Sequence, residues 1–355
     1  MRRLAILDYS RFIAALMVVF YHYTFNGMTN GKVTSITFDT AITDFTKYGY
    51  LGVELFFMIS GYVIFLSANG REAVEFAVGR ARRLYPAYWF AILFTSCFAY
   101  IWGGDLMSTS LPKSIANLSM LQSFFNIGHV DGVYWTLVYE ITFYFAVFVL
   151  LFIGLKDKLA KAFELWPVLF CVALLLGIDG IPLLGGYYYY FSAGAVFALI
   201  GSRFTLARLS SLALIYLLCI NYSTNKANVF TAIKGVMFSE VVIATLVTLF
   251  FFMFSIQNLN RFKSVRLPLS SLLGRLTYPL YLIHAHFGYM LLEQFANEQN
   301  KYTVLFVVVL VVLTIAYAIN KYIEINLKNY WVRFFDCFLG TPLQKIERKL
   351  FLKSS

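Results

Sequence analysis

Charge is scarce in this 355-residue chain. Only 13% of its residues are Asp, Glu, Lys or Arg, where a soluble chain carries about 25%. That shortage excludes an ordinary soluble protein of two or three domains. Cysteine is scarce as well. Cys97, Cys171, Cys219 and Cys337 stand far apart, mostly inside apolar runs. Their spacing offers neither a disulfide framework nor a zinc site, which leaves them as small core residues. Only four histidines occur. His284 and His286 are two apart, a spacing that points them away from each other on a helix, so no metal site is expected. Internal repeats, long linkers and a soluble domain are all missing. The basic residues form no single patch; they are spread over the joints between apolar segments, so the net charge of +11 does not suggest nucleic acid.

Apolar and aromatic side chains fill the space. The chain is 60% hydrophobic, with 37 Phe and 25 Tyr. A spanning helix needs about 20 mostly apolar residues. Ten such candidates are present, near 10–26, 48–67, 87–103, 133–153, 165–179, 186–201, 209–222, 237–257, 272–292 and 303–322. The expected fold is an all-α, polytopic membrane bundle of about ten helices. It comprises a membrane domain over 1–326 and a basic tail over 327–355. The fifth and sixth spans are the weakest, because IDGIPLLGGYYYY reads as either a tight turn or the tip of a re-entrant pair. The opening segment lacks a small-x-small cleavage site after its apolar run, so it reads as a retained helix.

The basic residues orient the bundle. With a cytoplasmic N-terminus, the outer connections hold only Lys32, Lys47, Lys113, Lys226, Lys234 and Lys301, which leaves 23 of the 29 basic residues inside. Such a bias is the positive-inside pattern. It puts both termini in the cytoplasm and explains the high net charge as topology and contact with anionic inner-leaflet lipid.

An ionisable side chain near the bilayer centre costs at least about 2.5–3.5 kcal/mol on insertion scales. The few that sit deep in these spans are therefore functional candidates. Arg11 and His22, eleven residues apart, share one face of the first helix and stand about 16 Å apart along it. The bland reading makes Arg11 a snorkelling anchor and His22 a satisfied interior histidine. The functional reading makes His22 a base and Arg11 an anion-binding wall. Glu54 lies in GYLGVELFFMISGYVIF, where Gly52, Ser60 and Gly61 permit close helix approach. Its expected partner across the bundle is His22 or an arginine. Arg80, Arg82 and Arg83 precede Tyr85, Pro86, Tyr88 and Trp89. They read as topology charges plus an aromatic belt, or as a mouth that binds phosphates and stacks on a base. Tyr134 and Trp135 suit the outer interface, with Glu140 about 8 Å deeper. Glu240 reads as a packing or outer-mouth residue. Pro279 is expected to kink the helix that carries Tyr281 and His284.

Six segments resemble the acyltransferase-3 family in family order. They are R-x10-H at Arg11 and His22; GVELFFMISGYVI; RARRLYPAYW; YWTLVYEITFY; GRLTYPLYLIHAH; and YIEIN at Tyr322 to Asn326. Thr136 and Thr277 stand where serine is usual, which keeps a hydroxyl. Asn326 stands where proline is usual, so the last helix is free to end differently. The resemblance implies a ten-helix membrane O-acyltransferase of a bacterial cytoplasmic membrane. It implies acetyl-coenzyme A, or another acyl-coenzyme A, as donor and a surface or lipid-linked saccharide as acceptor. Within it, His22 is base or transient acyl carrier with Arg11, Glu54 and Glu140. Arg80, Arg82, Arg83 and Tyr88 hold the coenzyme. Trp135, Ser60, Tyr281 and His284 support substrate or site. No hydrolase-like domain is appended, so no second transfer step is expected in this chain. The rival reading is a transporter or flippase of a lipid-linked saccharide, for which internal repeats or paired broken helices would be expected. The acceptor, the acyl group and the oligomeric state are not legible.

Overall fold

A computed structural model describes residues 4–263 and 265–351. Arg2, Arg3 and Lys353, which enter the orientation argument, lie outside the described residues. Among those described there is no strand. The long helices are α1 (Ala5–Thr29), α2 (Thr40–Ala68), α3 (Ala73–Trp102), a short α4 (Leu111–Asn117), α5 (Gly132–Phe152), α6 (Lys156–Leu176) and α7 (Tyr188–Ser202). They continue as α8 (Leu206–Lys234), α9 (Glu240–Asn258), α10 (Ser270–Ile283), α11 (Ala285–Phe295), α12 (Lys301–Asn326), α13 (Lys328–Phe335) and α14 (Thr341–Phe351). Eight of these are long and apolar enough to cross a membrane. The other two expected spans are α7, which is short and almost wholly buried, and the pair α10–α11, which is broken at His284.

Close approach holds the centre together. A Cβ on Gly61 would sit 1.9 Å from the Phe191 carbonyl oxygen, and one on Gly194 would sit 1.8 Å from that of Met58. Only glycine lets α2 and α7 cross backbone to backbone there. Phe57 stacks on Phe191 at this crossing with ring centres 4.7 Å apart.

The break between α10 and α11 has an identifiable cause. Pro279 sits inside α10 without ending it; at the break the His286 N–H goes to Asp131 Oδ2 at 2.8 Å instead of to the Leu282 carbonyl. The His284 ring nitrogen Nδ1 lies 2.8 Å from the Tyr281 carbonyl, which a continuous helix would give to Ala285. Tyr134 donates its hydroxyl to the Leu282 carbonyl at 3.1 Å, and Tyr23 donates to that of His284 at 2.7 Å. The Tyr281 and Leu282 carbonyls, freed by the break, need such partners inside a membrane bundle, while that of His284 also keeps its helical bond from the Gly288 N–H at 3.0 Å.

Two expectations change. The connection at 104–132 is not a simple outer loop, because it turns back into the bundle. Trp89 Nε1 donates to the Leu118 carbonyl and the Tyr85 hydroxyl to that of Ser119, each at 2.9 Å. Those residues lie about 20–25 Å down α3 from its end at Trp102, at about 1.5 Å per residue. Tyr134 and Trp135 are consequently interior rather than interfacial. Tyr134 is fully buried and Trp135 packs on Phe57, Tyr139 and Tyr187. The segment after 326 is also more than a basic tail. Phe335 of α13 packs on Val74, Val78 and Ala81 of α3 and stacks on Trp89. The cysteines divide: Cys219 is buried, whereas Cys97 and Cys337 are exposed.

The start of α1 and the C-terminal helices share one end of the bundle with Arg11, Arg80, Arg82 and Arg83, here called the arginine end. Arg83 pairs with Glu324 at 2.6 Å and Arg82 with Asp336. Lys32, Lys113 and Lys234 stand at the opposite, lysine end.

Candidate active site

A cavity of about 250 Å³ opens at the arginine end between α1, α2, α3, α5 and α10. Arg11, Arg80 and Arg83 line it, with Ser60, Glu140, Tyr144 and Tyr278. Helix geometry explains the grouping. Arg80 and Arg83 are three apart and so share a face of α3, while Arg82 points elsewhere. Glu140 and Tyr144 are four apart on α5, and the Tyr144 hydroxyl donates to Glu140 at 2.7 Å. The Ser60 hydroxyl donates to the same oxygen at 2.6 Å. Arg83 lies over the Tyr278 ring, 5.2 Å from its centre, and Arg80 lies 6.0 Å from that of Tyr144. Among the described residues, Arg11 and Arg80 form no ion pair, so two guanidiniums face the cavity without a carboxylate partner.

Thr136 and Tyr281 line the cavity where it comes nearest the histidines, with their hydroxyls 2.8 Å apart. Beyond Tyr281 stands His284, with ring centres 5.6 Å apart, and beyond that His22, at 5.1 Å from His284. Tyr281 and His284 therefore form a two-ring septum between the cavity and His22. The His284 tautomer is fixed by its environment. Its Nδ1–H donates to the Tyr281 carbonyl, and Nε2 is buried without a hydrogen-bond partner.

His22 opens a π-helical turn, His22–Asn26, within α1. Such turns occur often at functional sites. Its Nδ1 touches the Tyr289 hydroxyl, which also accepts from Asn26 Nδ2 at 3.0 Å. An Nδ1–H that donates to Tyr289 leaves Nε2 as the free base. Tyr289, not a carboxylate, is thus the group that orients the imidazole.

The expected partnership of Glu54 with His22 or an arginine does not occur. Glu54 is wholly buried and pairs with Lys226 at 2.7 Å. Lys226 in turn lies over the rings of Tyr50, Tyr187 and Phe230, at 4.7, 4.5 and 5.1 Å from their centres. Glu140 bonds within the cavity, so neither carboxylate touches His22. Arg82 faces Asp336 outside the cavity. Tyr88 is buried against Tyr134 and does not line the cavity. Glu240 is exposed and accepts from Asn228 at 3.3 Å. Among the described residues no group of three His, Cys, Asp or Glu is placed to hold a metal ion.

Sequence reasoning missed Tyr289, Asn26, Tyr144 and Lys226. Asn26 and Tyr144 were visible at i+4 from His22 and Glu140. Tyr289 carries no local signal, because the break at His284 sets its direction. Lys226 looked like an outer-loop charge because α8 runs further than its apolar stretch.

The sequence matches a family described as an acyltransferase domain over residues 4–321. It is 26% identical over 194 residues to "Putative peptidoglycan O-acetyltransferase YrhL" of Bacillus subtilis (strain 168), a match that covers 48% of this chain and 28% of that protein. It is 44% identical over 45 residues to "Exopolysaccharide production protein ExoZ" of Rhizobium meliloti (strain 1021), covering 12% of this chain and 14% of that protein. The chain thus aligns with under a third of either relative. No solved structure matches it.

Proposed function

Because the chain belongs to the acyltransferase-3 family, we propose that it is a membrane O-acyltransferase. It takes an acyl group, acetyl in the first instance, from acyl-coenzyme A at the arginine end. It delivers that group to a saccharide hydroxyl at the lysine end. The positive-inside bias makes the arginine end cytoplasmic, where acyl-coenzyme A is made, and fits a bacterial cytoplasmic membrane. The observation that carries this reading is the line Tyr281–His284–His22, which links the arginine-lined cavity to the one histidine seated in a π-turn.

The chemistry follows from the placement. Arg11, Arg80 and Arg83 offer forked donors for the coenzyme's phosphates, and Tyr144 and Tyr278 offer ring faces beside them. Movement of the Tyr281 ring opens a path for the thioester arm. The acceptor hydroxyl gives its proton to His22 Nε2, its oxygen bonds to the acyl carbon, and the carbon–sulfur bond breaks to release the coenzyme thiolate. In the carrier route, Nε2 attacks the acyl carbon first and the carbon–sulfur bond breaks to release the coenzyme thiolate; the acceptor oxygen then takes the acyl group from Nε2 while its proton passes to that thiolate. The names of the two relatives favour a cell-wall or exopolysaccharide acceptor.

The test is purified protein with labelled acetyl-coenzyme A and the host's glycan, read as label on sugar. His22→Ala is expected to abolish transfer while the protein remains folded. Full activity in that variant removes His22 from the reaction.

A further inference from the structure

The lysine end holds a second set of charges that transfer chemistry alone does not require. Of its six lysines, three are neutralised: Lys47 by Asp44 at 2.6 Å, Lys226 by Glu54 at 2.7 Å and Lys301 by Glu298 at 2.7 Å. Lys32, Lys113 and Lys234 form no ion pair among the described residues. Two of these bracket the shell of His22. Lys32 Nζ lies 2.7 Å from His286 Nε2 and 5.9 Å from the centre of the Tyr289 ring. Lys234 Nζ donates to Asn26 Oδ1 at 2.6 Å and to Thr29 Oγ1 at 3.0 Å. Tyr289 touches the His22 imidazole directly, and Asn26 donates to the Tyr289 hydroxyl at 3.0 Å.

Both ammonium groups are half-buried and both are held by neutral acceptors: an imidazole nitrogen, an amide oxygen and a hydroxyl. A lysine that only snorkels turns its head to water or to lipid headgroups. These two turn theirs inward, towards His22. The carboxylate that acts on Lys32, Asp131, already accepts two backbone hydrogen bonds. Its Oδ1 accepts from the Val133 N–H at 3.1 Å and its Oδ2 from the His286 N–H at 2.8 Å. Burial pushes the Lys32 ammonium below its ordinary pKa; Asp131 pulls it back up, and Lys113 pushes it down again. Holding such cations partly desolvated and without a direct ion pair costs stability. An arriving anion would offset that cost.

We propose that the acceptor saccharide carries an anionic group, a carboxylate or a phosphate, that Lys32 and Lys234 hold so that its neighbouring hydroxyl faces His22. This rests on the reading of His22 as the place where the acceptor is acylated.

The experiment measures equilibrium binding to the full-length protein in lipid nanodiscs. Three probes are compared: an oligoglucuronate, its carboxyl-reduced neutral counterpart, and a disaccharide on polyprenyl pyrophosphate. At least one anionic probe is expected to bind about tenfold or more tighter than the neutral one, about 1.4 kcal/mol. Preference for the uronate assigns the anion as a sugar carboxylate, and preference for the pyrophosphate assigns it as the lipid-linked phosphate. The preference is expected to collapse in Lys32→Gln/Lys234→Gln and to survive in Lys32→Arg/Lys234→Arg. Equal binding of all three probes, no binding of either anionic probe, or full preference in the Gln variant overturns the proposal. Labelled acetyl-coenzyme A supplied in parallel keeps the two readings apart. Anion-selective binding without any acyl transfer would remove the acyltransferase reading and leave the anion site standing.

Discussion

At the arginine end, three guanidiniums and one carboxylate line a cavity of about 250 Å³. At the lysine end, two ammonium groups and three histidines crowd around neutral acceptors. The difference is chemical as well as positional. Guanidinium forks suit a ligand with several phosphate oxygens, whereas an ammonium is a point charge that suits a single anionic group. Between the ends stand two rings, Tyr281 and His284. On the proposed function, a bundle built this way would separate donor from acceptor and let them meet at one place.

The comparison can be broken within a single helix. Arg80 and Arg82 are two residues apart, yet only Arg80 lines the cavity. Each charge-assisted contact is worth about 1.5–3 kcal/mol, or roughly 10- to 100-fold in affinity. Arg80→Ala/Arg83→Ala is therefore expected to weaken acyl-coenzyme A binding by roughly 100-fold or more, measured by titration in detergent at fixed salt. Arg82→Ala, which loses its contacts to Asp336 and the Val332 carbonyl outside the cavity, is expected to change it by less than about threefold, since such pairs contribute about 0–1 kcal/mol. Equal losses in both variants would return these arginines to a purely topological role.

A second contrast sets Glu140 against Glu54. Glu140 faces the cavity, while Glu54 is locked to Lys226 in an aromatic box. Removing one partner of a buried pair costs about 3–5 kcal/mol. Lys226→Met is expected to destabilise the protein by about that amount, read from unfolding in detergent. Glu54→Gln/Lys226→Met is expected to regain most of it. Acyl transfer in the double variant then decides the role of Glu54: a folded, active protein makes it structural, and a folded, inactive one makes it part of the reaction.

Tyr289 tests whether position alone distinguishes the lysine end. Tyr289→Phe removes the oxygen that fixes the His22 tautomer but keeps the ring. A loss of about 100-fold in kcat is expected, at the low end of what general acid–base catalysis contributes, with KM for the donor little changed. A change confined to donor KM would place Tyr289 on the wrong side of the septum.

Much of this was legible in the residues. The spans, the orientation bias and the shared face of Arg11 and His22 on α1 follow from hydropathy and helical spacing, and the structure has a helix at each expected span. What was hidden depends on segments that leave regular geometry. The 104–132 connection folds back because Trp89 and Tyr85 offer donors for its carbonyls, which no periodicity reveals. That fold draws Trp135 from the expected interface into the core. The break at His284 turns Tyr289 towards His22, a contact across 267 residues. Glu54 found a lysine rather than a histidine because α8 extends past its apolar stretch to Lys234 and brings Lys226 beside α2.

The smallest effect sharpens the comparison most, because it separates a lysine site from an arginine site by pH alone. Lys32 lies outside the spans, in the connection after α1, and faces His286, Asp131, Lys113 and Tyr289. Its ammonium is held below the ordinary value of 10.5, chiefly by burial. A cation with a lowered pKa loses its charge as pH rises through that lowered value. Affinity for an anionic acceptor is then expected to fall as pH rises, in a window that begins below 10.5. The fall should amount to a few-fold, since Lys234 still contributes. In Lys32→Arg the guanidinium stays charged throughout, so the fall should vanish. Titration of acceptor binding against pH in the two proteins checks this, and an identical alkaline limb in both would mean that Lys32 does not hold the anion.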